Sequence, residues 1–462
     1  MRLFVPPIDV GPEEGFTPQK DLFGRAAVGE GLTHLVSTVT DPLVIAVDGK
    51  WGSGKSTFLR MWMGELRKVG FPDIHFDAFE NDYFDDAFTA LAGEIIGLAE
   101  EKRKEASTKA KRFKDTAVEV SKVLARSGLR LGVRVLTAGA VDGSVIDAME
   151  KDVAAEASGV VDKLIGEKLT QQKDQKATIA SFKSALSDLP SLLTNEVEVA
   201  SSDEGSIGKR KKDKPLIIVI DELDRCKPLF ALQILERAKH LFSVQNVHFV
   251  LGTHLGQLSN SVQIAYGLQT DANMYLQKFI HFSITLERAY ADGGDGERRK
   301  FIDWLIRQHQ FESSDRNLVH TITNYLIALA DKLNLGLRDI ERIVSSIALT
   351  LACSSEPEYR PASLICALCV LKVKFPELYA KAKVGDLSFG EVQSALQLKN
   401  SWGEERRRVR EVLVEYFEAM LLPDSEAARN VRFPDNLAFH GITRASLLPY
   451  LTNGLIDRMR PA

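Results

Sequence analysis

The chain has 462 residues, 45% of them hydrophobic and 26% charged, with a formal net charge of −4 at neutral pH. That length exceeds what one hydrophobic core ordinarily supports, and the apolar content excludes a disordered or fibrous chain. The slightly acidic balance excludes a global electrostatic pull toward nucleic acid, although local basic runs remain.

The N-terminus carries no apolar stretch of the export type, and the four cysteines fit free thiols in a reducing compartment, so a cytoplasmic location is expected. The longest uncharged, apolar-leaning run, 343–355, falls short of the roughly 18 residues that span a bilayer.

Residues 17–40 read as a turn followed by a helix, with Ala27, Leu32 and Leu35 at helical spacing. A segment ahead of the first strand can fold over a nucleotide base. Leu22, Phe23 and Gly24 are therefore adenine-pocket candidates, with helix capping as the alternative.

Residues 43–59, LVIAVDGKWGSGKSTFL, pass from a β-branched apolar run through a glycine-rich turn into a helix. Gly49, Gly54, Lys55 and Ser56 satisfy G-x-x-x-x-G-K-[ST], the spacing in which backbone N–H groups converge on phosphates at a helix N-terminus. The loop to be wrapped around the phosphates includes Trp51, Gly52 and Ser53, and Thr57 extends the donor set. Lys55 is placed to reach the β- and γ-phosphates of ATP, and the Ser56 hydroxyl to take one position on Mg²⁺.

A helix to Val69, a strand over 74–79, an acidic turn over 80–86 and a helix from 87 to 101 come next. The aromatics Phe76, Phe79, Tyr83, Phe84 and Phe88 read as core packing where strand meets helix. From 102 to 214 the character changes to a basic, helix-prone run at 102–114, further helical pattern to Leu193, and a polar loop rich in Ser, Lys and Arg. This stretch reads as a mostly helical insertion with a flexible basic end.

Leu216 to Ile220 are five apolar residues, four of them β-branched, the pattern of a buried central strand. Asp221 follows at the C-terminal end, where ligands of open parallel sheets sit. It can hold Mg²⁺ there through a water, and Glu222 beside it can orient or deprotonate an attacking water.

A helix through Leu229 to Phe242 and a strand over 247–253 come next, the latter ending at Thr253 and His254, candidates for sensing the γ-phosphate. The stretch 273–286 reads as a helix running into a last strand. Gly293, Gly294 and Gly296 mark a break, after which amphipathic segments near 298–311, 317–333, 337–353, 361–374, 403–421 and 444–459 make the remainder helical. Cys366 and Cys369 form a C-x-x-C inside one of these apolar segments and read as core. Arg338 and Arg342 fall four apart on one helical face. One of them could stabilise charge on a transferred phosphoryl group, an effect of about 10³ to 10⁵ in rate; pairing with Asp339 or Glu341 is the other reading.

Residues 48–57, 76–79, 219–228 (VIDELDRCKP), 275–280 (YLQKFI) and 337–342 (LRDIER) together resemble the KAP family of P-loop NTPases. Trp51 inside the P-loop, together with the Leu-Asp-Arg-Cys run, carries the resemblance most specifically. It implies an α/β fold: a P-loop NTPase parallel sheet of the additional-strand type, with the Asp221 strand separated from the P-loop strand, a helical insertion and a C-terminal all-helical region. The corresponding division is 1–101 and 215–289 for the two parts of the NTPase domain, 102–214 for the insertion and 290–462 for the helical domain. This chain departs from the pattern in having Asp77 and Phe79 where Asn and Trp are usual, Thr253-His254 where an acidic residue is usual, and no transmembrane helices in the insertion.

Three functions follow as expectations. The first is a Mg²⁺-dependent ATPase that couples ATP binding and hydrolysis to conformational change or assembly with partner proteins, and the family resemblance adds bacterial anti-phage defence as its setting. The second is a nucleotide-gated scaffold, or signalling protein, with little intrinsic turnover. The third, nucleic-acid translocation, is disfavoured by the acidic whole and by the lack of aromatics among the basic runs. A homo-oligomer, in which an arginine acts on a neighbour's nucleotide, stays open.

Overall fold

The computed structural model describes residues 2–84, 214–238, 243–286, 295–354, 358–422 and 442–458, with scattered positions between 87 and 190. The basic runs at 102–114 and 209–213, and with them most of the expected insertion, lie outside the described residues. The described chain divides into two compact units: Val10–Lys50 with Gly54–Leu286, and Met1–Asp9 with Trp51–Ser53 and Glu287–Ala462.

The first unit is built on a parallel five-stranded sheet. Its strands are β1 (Val44–Asp48), β2 (Asp73–Asp77), β3 (Leu216–Asp221), β4 (Val247–Thr253) and β5 (Phe282–Thr285), in the order β2-β3-β4-β1-β5. The strand carrying Asp221 is thus separated from the P-loop strand by β4, as the family resemblance implied. Along β3 the apolar run alternates between two cores. Leu216, Ile218 and Ile220 pack with Phe76, Phe249 and Leu251 on one face. Ile217 and Val219 pack with Ile45, Val47, Val250, Phe58 and Trp62 on the other. Both faces are covered, which is why this strand reads as a continuous apolar run rather than an alternating one.

Helix α1 (Ala26–Thr38) precedes β1, and α2 (Lys55–Lys68) begins at the P-loop lysine. After β3 a 3₁₀ turn (Leu223–Arg225) leads into α3 (Pro228–Ala238). Helices α4 (Leu255–Tyr266) and α5 (Ala272–Leu276) join β4 to β5. The parallel pairing of β1 with both β4 and β5 brings Asp48 level with Thr253 and Thr285, so several strand ends meet along one edge of the sheet.

The second unit is helical. It includes α6 (Asp295–His309), α7 (Arg316–Lys332), α8 (Leu337–Ala352), α9 (Ala362–Lys374), α10 (Pro376–Val384), α11 (Phe389–Ala395) and α12 (Glu404–Leu421). A π-helical turn at Tyr450–Ile456 lies near its end. Helix α9 runs through the middle of the core, every residue from Ser363 to Leu371 buried. Cys366 and Cys369 are therefore core residues. Burial pushes both thiols up, that of Cys369 to about 11.

Candidate nucleotide site

The P-loop starts where β1 ends. Asp48 Oδ1 accepts the Leu255 N–H at 2.8 Å, and the Gly49 N–H donates to the Thr253 carbonyl at 3.2 Å, so the loop is anchored to the tip of β4 before it turns. Gly54 is the N-cap of α2 in the left-handed region (φ 82°), and Gly52 is also left-handed (φ 77°). Such a backbone turns N–H groups toward a common point at a helix N-terminus, where anions are favoured. A Cβ on Gly54 would lie 3.3 Å from Arg25 Nη1 and 3.8 Å from the Phe23 ring.

Lys55 is buried, and its Nζ donates to the carbonyls of Gly49 (2.5 Å) and Lys50 (3.4 Å). Burial pushes its ammonium down, while Asp224, Asp221 and Asp48 hold it up. A cation kept dry among three carboxylates is poised to exchange carbonyl partners for phosphate oxygens. Asp221, 1% exposed, gathers the rest of the site. Burial would raise its carboxyl, but the neighbouring His75 and Ser56 side chains, the former 3.9 Å away, and the Glu222 N–H, which donates to Oδ1 at 2.8 Å, hold it below the usual range. The P-loop serine and the acid of β3, 165 positions apart in the chain, are thus neighbours. A Cβ on Gly252 of β4 would stand 2.3 Å from Asp221 Oδ1, so this strand glycine makes room for that carboxylate.

Glu222 follows in left-handed backbone (φ 56°) with Oε2 bonded to Arg225 Nη1 at 2.6 Å. Burial raises its carboxyl; Asp77 and Asp221 add to that and Arg225 opposes it. Thr253 is buried, with Oγ1 unpartnered among the described residues. Half-buried Phe23 lies under the Arg25 guanidinium, 4.8 Å from the ring centroid, and Arg25 Nη2 donates to the Leu286 carbonyl. The capping of α1 falls to Asp21, whose carboxylate accepts the N–H groups of Arg25 and Ala26. Phe23 is thereby left without a capping task, its ring beside Gly54 of the P-loop.

Trp51, Gly52 and Ser53 cluster with the helical unit. Within that unit, Arg338 Cβ lies 3.0 Å from where a Cβ on Gly52 would sit. Arg338 and Arg342 are exposed on the first turns of α8, and Asp339 is taken by Lys374 (3.1 Å) and the Gly336 N–H. Pairing with Asp339 is therefore not what holds Arg338. Reading the sequence missed Arg25, Asp48, His75 and Gly252. Of these only Gly252 had a signal, an isolated glycine inside an apolar strand.

The buried polar set fits Mg²⁺ with a nucleoside triphosphate. A hydroxyl and a carboxylate near each other supply few protein oxygens, the kind of partial shell that magnesium completes with phosphate and water. No group of three or more His, Cys, Asp or Glu among the described residues is arranged to hold a metal by itself. Sheet order, P-loop and the acid at the end of β3 define a P-loop NTPase. The KAP family P-loop domain matches residues 25–353, well over half of the chain, and the protein belongs to that family.

Among curated proteins, the phage T7 exclusion protein of Escherichia coli K12 is 25% identical over 170 residues. That stretch is 36% of this chain and 22% of the relative's length. The solved Aeropyrum pernix ORC2 protein, in ADPNP-ADP complexes, aligns over 98% of each chain at 11% identity with a TM-score of 0.33, a likeness too slight to bear on fold or function. No helix among the described residues is long and apolar enough to cross a membrane.

Proposed function

We propose that this protein is a Mg²⁺-dependent ATPase whose nucleotide cycle changes its conformation or its assembly with partner proteins. The carrying observation is the closeness of Ser56 and Lys55 to Asp221, whose carboxylate acts on both, so that the P-loop and the acidic end of β3 lie side by side. Lys55 and backbone N–H groups of the P-loop beyond Gly49 bind the β- and γ-phosphates, with Gly52 and Gly54 supplying the close backbone approach. Ser56 and Asp221 would hold Mg²⁺, which would offset the charge that develops on the transferred phosphate.

Glu222 orients a water in line with the γ-phosphorus and takes its proton as the new P–O bond forms and the β–γ bridge bond breaks. Thr253 senses the γ-phosphate from the tip of β4. Phe23 and Gly24 form one wall of the base pocket, and Arg338 is the arginine that neutralises the transferred group. The similarity to the phage T7 exclusion protein supports a role in defence against phage.

Phosphate release from purified protein tests this reading, with Glu222→Gln as the diagnostic variant. Wild type is expected to release phosphate with Mg-ATP, and the variant to bind ATP while losing about 10²-fold or more in turnover, the usual contribution of a general base. A variant as fast as wild type would remove Glu222 from its role.

A further inference from the structure

Glu222 is one of five described non-glycine residues with positive φ, and it carries the carboxylate read here as the base. Besides a 3.6 Å contact from the Cys226 thiol to its carbonyl, three bonds to Asp221 and Arg225 hold it. Its N–H donates to Asp221 Oδ1 at 2.8 Å, its carbonyl accepts the Arg225 N–H at 3.0 Å, and its Oε2 accepts from Arg225 Nη1 at 2.6 Å. Arg225 therefore grips both the main chain and the side chain of the same residue.

The surrounding charges say why a grip is needed. Asp77 stands opposite Asp221 in the register of β2 and β3, and both carboxylates act repulsively on Glu222. Arg225 is the one cation bonded to Glu222 among the described residues. The Arg225 and Glu222 side chains are 30% and 19% exposed, so the pair is partly withdrawn from water and weakly screened. Without it, like-charge repulsion favours rotation of Glu222 outward into solvent. With it, one carboxylate oxygen is fixed and the other is left to face a water.

We propose that Arg225 is the positioning residue of the hydrolytic site, holding the Glu222 carboxylate in the one orientation that presents Oε1 to the attacking water. This rests on the reading of Glu222 as general base. Its contribution appears in kcat rather than in nucleotide binding, because Arg225 acts on the base and not on the phosphates.

The test compares wild type with Arg225→Gln, Arg225→Lys and Arg225→Ala. Turnover is measured with Mg-ATP, ATP affinity by calorimetry, and hydrogen exchange over residues 221–226. Arg225→Gln is expected to lower kcat about 10²-fold, the scale of an ångström-sized misplacement of a reacting group, with KM and ATP affinity unchanged. Arg225→Lys keeps the charge but not the fork and should fall between the two. Guanidinium in the millimolar range should restore part of the turnover of Arg225→Ala and none of that of Glu222→Gln.

Exchange over 221–226 should quicken in Arg225→Gln even with no nucleotide present. Wild-type turnover in Arg225→Gln, or a loss of ATP affinity that accounts for the whole defect, overturns the proposal, as does unchanged exchange. If Arg225→Gln fails to fold, the lysine variant and the guanidinium titration decide. A wild type that binds ATP without hydrolysing it marks failure of the ATPase reading instead, and then all variants are equally inert.

Discussion

Gly54 and Glu222 both hold left-handed backbone, and the difference between them says what each position is for. Gly54 needs no support there, because without a Cβ the conformation is free; Glu222 is held by its bonds to Asp221 and Arg225. Gly54→Ala is therefore expected to cost about 1–2 kcal/mol, the penalty of placing a Cβ in that region. The added methyl would lie 3.3 Å from Arg25 Nη1 and 3.8 Å from the Phe23 ring, so the guanidinium need give by only a few tenths of an ångström. The loss should show as a lower urea midpoint, with weaker ATP binding because the cradle's N–H groups turn away. Gly54→Asn, which tolerates the conformation, should lose less stability.

At this scale the sequence was informative where chemistry dictates spacing: Lys55, Ser56 and Asp221 are recognisable because a site of the proposed kind, for phosphates and Mg²⁺, needs those residue types at those places. It was silent on Arg25 and His75, whose roles arise only when separate strands and turns are brought side by side.

Strands β1, β3 and β4 were legible because a strand buried on both faces must be apolar at every position. The exception inside one of them, His248 in β4, is informative about stability. It is fully buried, and Nδ1 accepts the Leu43 N–H at 3.2 Å, so the proton of the neutral ring sits on Nε2. Burial pushes its pKa down to about 4, with the carbonyls of Val36 and Val39 opposing. In the unfolded chain a histidine titrates near its ordinary value of about 6.5.

Above that value neither state binds the proton and stability is level. Between about 6.5 and about 4 only the unfolded state binds it, so stability falls as pH falls, by roughly 3 kcal/mol across the window at 1.36 kcal/mol per pH unit. Denaturant unfolding at a series of pH values should show this slope, and His248→Gln should flatten it. A slope unchanged in the variant would assign the acid sensitivity elsewhere, for instance to buried His309, which is shifted in the same direction.

Helices α10 and α11 escaped the reading of the C-terminal part, for different reasons. Helix α10 is short and buries only Tyr379 and Ala382, too few apolar positions to show a period. Helix α11 had a visible start, the Ser388 to Glu391 capping box, in which each side chain satisfies the other's backbone N–H.

For the whole molecule, two units of different kinds are joined in one chain, and the family model from 25 to 353 runs through the end of the sheet unit at Leu286 into the helical one. A nucleotide that binds only the folded state stabilises it by mass action, about 2.7 kcal/mol at a hundredfold excess over Kd. At roughly 2 °C per kcal/mol for a unit of this size, the melting midpoint should rise by roughly 5 °C.

Lys55→Met keeps the buried stem and removes the ammonium that Asp48, Asp221 and Asp224 hold in place. It should fold and lose the shift. Phosphate release measured on the same samples separates the two nucleotide-dependent readings. A shift accompanied by turnover supports the ATPase. A shift without turnover selects the nucleotide-gated scaffold, in which occupancy alone changes the population of conformers. Without any shift, ATP has no differential affinity for the folded state, and both readings fall together.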